Sequence, residues 1–207
     1  MARVFCIGRN YAEHARELDN PLPASPVVFM KPPQSLVAPG GVVRFPSHGR
    51  DLHHEVELVF RVGRGARGVP AGTGLDCLDA VTVGVDLTLR DVQQDLKKKG
   101  LPWEAAKAFE QSAPLGDFVP LASLRDVSGL SFWCDVNGER RQAGRAADMV
   151  FGPGSLVAHL SAIWTLAPGD LIFTGTPAGV GPLAPGDEIT AGAEGIGVFS
   201  WRIGGRD

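Results

Sequence analysis

LHHEVELVF, residues 52–60, decides how the rest of the chain is read. Val, Leu and Phe interleave with polar residues and no Gly or Pro interrupts them, which is the signature of a β-strand. Alternate side chains of a strand share a face. His53, Glu55 and Glu57 therefore stand together, with Val56, Leu58 and Phe60 on the other side. Carboxylates at i and i+2 lie roughly 6–7 Å apart along the pleat. Such a pair either points into water, as one face of a half-exposed sheet does, or faces something positive.

The flanking sequence places this strand among many others. RVFCIG (3–8), PVVFMKP (26–32), GVVRFP (41–46) and DAVTVGVDLTLRD (79–91) are apolar β runs, the strand at 52–62 among them. LSFWCDVNGERRQAG (130–144) predicts a hairpin turning at Asn137-Gly138, a pair that favours the left-handed conformation of a tight turn. GDLIFTGTP (169–177), GDEIT (186–190) and GVFSWRI (197–203) add further strands. Helices are few and short. NYAEHARELDN (10–20) predicts one with Asn10 as N-cap, Glu13 as its capping-box partner and Asn20-Pro21 as its stop. RDVQQDLKKKG predicts another, ended by Gly100, and GSLVAHLSAIW (154–164) a third with apolar residues at helical spacing. The elements do not alternate βαβα, so the expected class is α+β, mainly β, rather than a doubly wound sheet. The 207 residues suit a single domain, with residues 1–45 as a possible small N-terminal lobe.

Bulk properties remove several functions. Net charge is −3, which gives no electrostatic footprint for nucleic acid. The run Lys97-Lys98-Lys99 reads as a solvated helix end. No apolar run reaches the roughly 18–20 residues of a membrane span, and the N-terminus lacks a signal-peptide core. A cytoplasmic protein is expected. The cysteines Cys6, Cys77 and Cys134 are odd in number and widely spaced, which suggests neither a disulfide framework nor a zinc site.

Four groups carry chemical interest. Asp86 is the only charged residue in 80–89, inside an apolar run where an unpaired buried carboxylate is costly. With Glu55 and Glu57 it makes an all-oxygen donor set suited to Mg²⁺ or Mn²⁺. His14 and Glu17 sit three apart on a helix and so share a face, where a carboxylate fixes the imidazole tautomer. Lys107, among alanines and beside Phe109, is placed to enter a pocket and bind a carboxylate. TGTPAGVG (174–181) offers backbone N–H groups and the Thr176 hydroxyl to an oxyanion.

The order of CIGRNYAEHARE, HHEVEL, VDLTLRDVQ, KKKGLPWEAAKAF and LIFTGTPAGVGP resembles the fumarylacetoacetate hydrolase family, in its small acylpyruvase and oxaloacetate decarboxylase branch. The resemblance spans nearly the whole chain. It implies a mixed β-roll with flanking helices and a homodimer. It implies Mg²⁺ or Mn²⁺ on Glu55, Glu57 and Asp86, and a 10–19 helix that closes as a lid with His14 and Glu17 as catalytic residues. Lys107 is implied as catalytic and substrate-contacting, with Arg9, Gln93, Gly175 and Thr176 around a small 2-oxo acid substrate. The implied reaction is C–C cleavage of 2,4-dioxo or β-keto acids through a metal-stabilised enolate. The alternatives are an isomerase, tautomerase or decarboxylase–isomerase of 2-oxo diacids, and a protein that binds metal and dicarboxylate without turnover. His53 shares the acidic face and has no assigned role.

Overall fold

The computed structural model describes residues 2–17 and 21–206. In chain order come β1 (Val4–Gly8), α1 (Ala12–Glu17), β2 (Val27–Lys31), β3 (Leu36–Val37), β4 (Val42–Phe45), β5 (Leu52–His54) and β6 (Val56–Val62). They are followed by β7 (Leu78–Val85), β8 (Thr88–Leu89), α2 (Arg90–Lys99), α3 (Glu104–Lys107), β9 (Ala113–Pro114) and β10 (Val119–Pro120). The last part holds β11 (Ser131–Val136), β12 (Glu139–Arg145), α4 (Pro153–Ile163), β13 (Leu171–Phe173), β14 (Gly181–Leu183), β15 (Glu188–Ala193) and β16 (Gly197–Arg206). Strands dominate and helices are short, as the mainly β α+β class requires.

Two larger sheets carry the fold. One has the order β10-β7-β6-β13-β1-β2 and the other β12-β11-β15-β16-β4. Their facing sides form the main core: Val56, Leu58 and Phe60 of β6 and Val81, Val83 and Val85 of β7 join Phe132, Ile189, Trp201 and Ile203 from the second sheet. The opposite side of the first sheet carries Val4, Cys6, Val59 and Phe173. Thus β6 is buried on both faces from Val56 to Phe60, and only Arg61 near its end is partly exposed.

Strands from the first 45 residues are built into both sheets. β1 lies between β13 and β2, and β4 pairs with β16. The predicted hairpin is present, with Asn137 and Gly138 at φ 54° and 78°. Gly100 ends α2 at φ 65°, its N–H bonded to Lys97 O.

Two local expectations are corrected. The strand predicted over 52–62 is two strands. β5 pairs with β14 and β8, whereas β6 pairs with β13 and β7, and Glu55 stands at the junction. Asn10 is not a helix cap. It is fully buried; its Nδ2 donates to Phe151 O (3.0 Å) and Thr174 O (2.8 Å), and its Oδ1 accepts from Phe151 N (2.8 Å). Both ends of the carboxamide are thus spent on distant backbone, which pins the approach to α1. The part of the predicted 10–19 helix beyond Glu17, with its stop at Asn20, lies outside the described residues. Among the described residues no helix is long and apolar enough to cross a membrane.

Candidate active site

The acidic cluster follows from strand register. β6 and β7 are antiparallel with Val56 opposite Val85 and Glu57 opposite Gly84. One step beyond, the Asp86 amide donates to Glu55 O at 2.8 Å, so Asp86 faces Glu55 as both strands leave the sheet. Directly opposed residues bring their Cβ atoms to about 5 Å, and Glu57 follows two positions along on the same face. One carboxylate oxygen from each of Glu55, Glu57 and Asp86 lies within 4.8 Å of the others. Exposures are 5 %, 1 % and 1 %, which rules out the solvated reading of the Glu-x-Glu pair.

Cations answer this charge. Lys107 Nζ donates to Glu55 Oε2 at 2.8 Å and to Asp86 Oδ2 at 2.6 Å. Arg90 bonds Glu55 and also donates to Gln93 Oε1 at 2.7 Å. Lys31 Nζ lies 2.8 Å from Asp86 Oδ1 without the alignment of a hydrogen bond, because its hydrogens go to Ser112 O (3.1 Å), Ser112 Oγ (3.0 Å) and Lys107 O. Glu57 has a neutral partner instead, the Gly175 N–H at 2.7 Å.

The protonation of the cluster is uneven as a result. Burial opposes charge on Glu55, but Lys107 and Arg90 outweigh it and hold the carboxyl well below its ordinary range. Burial and then the neighbouring Asp86 push Glu57 well above that range, against the pull of the Gly175 amide. Burial disfavours the Lys107 cation, yet Asp86 and Glu55 reverse this and raise its pKa. Of the two, Glu57 takes up a proton more readily and Glu55 keeps its charge further into acid.

The cleft over this cluster gathers most of the sequence-predicted residues. Arg9, His14, Gln93, Lys107 and Thr176 line it with the three carboxylates. Arg9 holds φ 59°, a left-handed turn between β1 and α1. His14 is buried, and its Nδ1 lies 3.1 Å from Glu17 Oε2. The other oxygen of Glu17 accepts from Gly179 N at 3.0 Å, which ties α1 to the loop after β13. Gly175 differs from expectation: Glu57 takes up its N–H, so that amide is not offered to a ligand. The open space is ≈ 30 Å³, room for about two waters.

Five residues escaped the sequence reading. Lys31, Arg90 and Trp103 line or underlie the cleft, and so does Lys97, which was assigned to solvent. Burial, then Arg9 and Arg90, lowers the Lys97 pKa. The fifth, Gln142, lies on β12 of the other sheet and donates to Thr176 Oγ1 at 2.8 Å. A lone lysine in the apolar run VVFMK was a usable signal for Lys31. Gln142 sits in a polar hairpin strand that gave none.

A β-roll that sets three buried carboxylates beneath a His–Glu pair defines a class, and the chain belongs to it: residues 3–203 match the fumarylacetoacetate (FAA) hydrolase C-terminal family. The chain is 43% identical over 200 residues to the mitochondrial oxaloacetate tautomerase FAHD1 of Bos taurus, covering 97% of this chain and 90% of that one. Identity to the Homo sapiens protein of the same name is 41% over 200 residues, with coverage of 97% and 90%. Fumarylpyruvate hydrolase from Pseudomonas aeruginosa, solved in complex with Mn²⁺ and pyruvate, superposes with a TM-score of 0.94 at 35% identity, covering 99% of this chain and 90% of that one. For 5-carboxymethyl-2-hydroxymuconate delta-isomerase from Mycobacterium smegmatis the TM-score is 0.88 at 35% identity, with 100% and 80% covered.

Proposed function

We propose that residues 1–207 form one catalytic domain, a divalent-metal-dependent enzyme that acts on small 2-oxo acids by moving a proton at the carbon next to the keto group. The observation that carries this reading is the pairing of His14 with Glu17 in the same cleft as Glu55, Glu57 and Asp86.

The donor set fits a hard dication. It offers oxygen alone, and the Lys107 ammonium bridging Glu55 and Asp86 marks where positive charge is already stabilised. Glu55, Glu57 and Asp86 would hold Mg²⁺ or Mn²⁺, and the Mn²⁺ in the Pseudomonas relative supports that choice. The ion supplies Lewis-acid polarisation of the substrate's keto group.

The side chains supply the remainder. The Glu17 carboxylate accepts from Nδ1 of His14, which leaves Nε2 with the lone pair of a general base. This base removes a proton from C3 and returns it, interconverting keto and enol forms. With water in place of the C3 proton, the same base drives attack on the 4-carbonyl of an acylpyruvate, and the C3–C4 bond breaks to give pyruvate and a carboxylic acid. Thr176, Gln93 and Lys107 orient the carboxylate. A pyruvate-sized acid exceeds the present space, so α1 or the Lys107 side chain moves to admit it, in keeping with a lid role for α1. Arg9 and Lys97 add positive charge where the substrate's far end lies, which favours a diacid.

Oxaloacetate keto–enol interconversion stands first because the relatives at 41–43% identity are named for it. Fumarylpyruvate-type hydrolysis is the second reading, supported by the 0.94 TM-score to a hydrolase. A homodimer and a cytoplasmic location complete the proposal.

The test is a panel of oxaloacetate, fumarylpyruvate and acetylpyruvate with Mg²⁺ and Mn²⁺, following enol absorbance and products. Catalysis that needs the metal and drops on the order of 10²-fold or more in His14→Ala is expected, the size of a lost general base. An unaltered rate in His14→Ala would remove the base, and an inert wild type would leave a protein that binds metal and dicarboxylate without turnover.

A further inference from the structure

Gln142 is fully buried and makes four hydrogen bonds, two at each end of its carboxamide. Oε1 accepts from Val56 N (3.0 Å) and from His54 Nδ1 (3.0 Å). Nε2 donates to Pro177 O (2.9 Å) and to Thr176 Oγ1 (2.8 Å). A backbone N–H can only donate and a backbone carbonyl can only accept. Val56 and Pro177 therefore fix which end of the amide is oxygen and which is nitrogen, with no freedom to flip. His54 must then carry its proton on Nδ1. Both hydrogens of Nε2 are spent, one on Pro177 and one on Thr176.

The consequence falls on Thr176. Its hydroxyl accepts from Gln142, so its own hydrogen points elsewhere, and Thr176 lines the cleft. We infer that Gln142 is a positioning residue, which occupies one lone pair of the Thr176 hydroxyl and turns its hydrogen toward the substrate. The ligand so received is an acceptor of high charge density, the carboxylate or the developing oxyanion of a 2-oxo acid. The inference rests on the proposed placement of substrate against Thr176. It adds the residue, on the opposite sheet, that decides how the hydroxyl is used. The same amide holds Val56 N, between Glu55 and Glu57, so one side chain registers the substrate donor against the acidic cluster.

The variants Gln142→Glu, Thr176→Val and their combination test this, read as kcat, KM and Mn²⁺ dissociation constant. Glutamate keeps an acceptor for Val56 and His54 but cannot donate to Thr176, whose hydroxyl then turns to the new oxygen and away from substrate. Each single variant is expected to lower kcat/KM by roughly ten- to a hundredfold, the weight of a hydrogen bond to a charged group. The double variant is expected to be no worse than Thr176→Val alone, with Mn²⁺ affinity within about twofold of wild type throughout. Losses that multiply in the double variant would overturn the inference, as would a fully active Thr176→Val. Should Gln142→Glu fail to fold, Gln142→Met removes the donor to Thr176 and strands the Val56 and His54 donors as well; adding Thr176→Val to it is then expected to cost less than about threefold more in kcat/KM, and a further roughly ten- to hundredfold loss would overturn the inference. A wild type inert toward every oxo acid, with Mn²⁺ bound, overturns the functional reading and takes this inference with it; an active wild type with multiplying losses overturns the inference alone.

Discussion

The Gly175 amide donates to Glu57 Oε2 at 2.7 Å, joining the loop after β13 to the carboxylate that has no cationic hydrogen-bond partner among the described residues. Gly175 is at φ 95°, and a Cβ there would lie 2.8 Å from Asn10 Cβ and 3.1 Å from Ile7 O. Gly175→Ala therefore meets both backbone strain and a clash with the buried Asn10 anchor. The expected loss is about 1–3 kcal/mol of stability, together with weaker Mn²⁺ binding, read by thermal melting and metal titration. Unchanged values in both would show that the loop does not position Glu57.

Glu57→Gln gives an unusual expectation. The native carboxyl has its pKa raised by burial and by Asp86, so between the unfolded and the folded pKa the folded protein binds a proton there that the unfolded chain does not. Without metal, that contribution is fully present below the ordinary carboxylate pKa and is lost as pH rises through the folded value. Glutamine mimics the protonated acid. Metal-free Glu57→Gln is expected to be at least as stable as wild type near pH 8, yet to bind no Mn²⁺. For the native protein, Mn²⁺ binding releases about one proton and weakens about tenfold per pH unit below the raised pKa, measurable by calorimetry in buffers of different ionisation enthalpy.

Lys97 lines the cleft beside Arg9 and Arg90, so an anion entering there meets several cations. Lys97→Met is expected to raise KM for oxaloacetate and fumarylpyruvate by roughly three- to tenfold, the scale of a partly solvated charge pair. Acetylpyruvate, with an uncharged far end, is expected to keep its wild-type KM. Equal effects on all three would argue for a role other than sensing the second carboxylate.

Asp170 anchors the start of β13 to β1. It accepts from Arg3 N (3.0 Å), Arg3 Nε (3.3 Å), the Arg3 terminal nitrogen (2.5 Å) and Ala167 N (2.8 Å). Burial opposes the charge, and these donors lower its pKa below the ordinary value. Its stabilisation is thus present above the unfolded pKa and lost as pH falls through the folded one. Asp170→Asn is expected to cost about 1–2 kcal/mol at pH 7, discounted because Arg3 is half exposed. The gap from wild type is expected to narrow in acid unfolding curves near pH 3.

Much of the candidate site was legible because its residues contradict their surroundings. An acid alone in an apolar run, as Asp86 is, calls for a cation; Glu55 and Glu57 on one strand face make with it an all-oxygen donor set, and Lys107 and Lys31 stand against Asp86 in the fold. Helical spacing put His14 and Glu17 on one face, but it was the resemblance that set the pair apart from an ordinary surface pair. Residues that look ordinary locally were not legible. Lys97 stands in a basic run at a helix end, where solvation is the usual outcome, yet α2 turns its side chain into the cleft. Asn10 has the composition of a helix cap, but burial against Phe151 and Thr174 claims both ends of its amide.

The sequence by itself determined the class of fold, since alternation, turn residues and the scarcity of helical periodicity are local properties. It also determined which acids are chemically conspicuous. Tertiary structure alone decided that the 52–62 segment breaks at Glu55 and serves two sheets, because strand exchange depends on which distant partners, β14 or β13, take the backbone hydrogen bonds. It alone decided the ionisation of the cluster as well. Burial and Asp86 push Glu57 up while Lys107 and Arg90, against burial, pull Glu55 down, and chain spacing leaves these partners far away where low-dielectric contact makes them decisive.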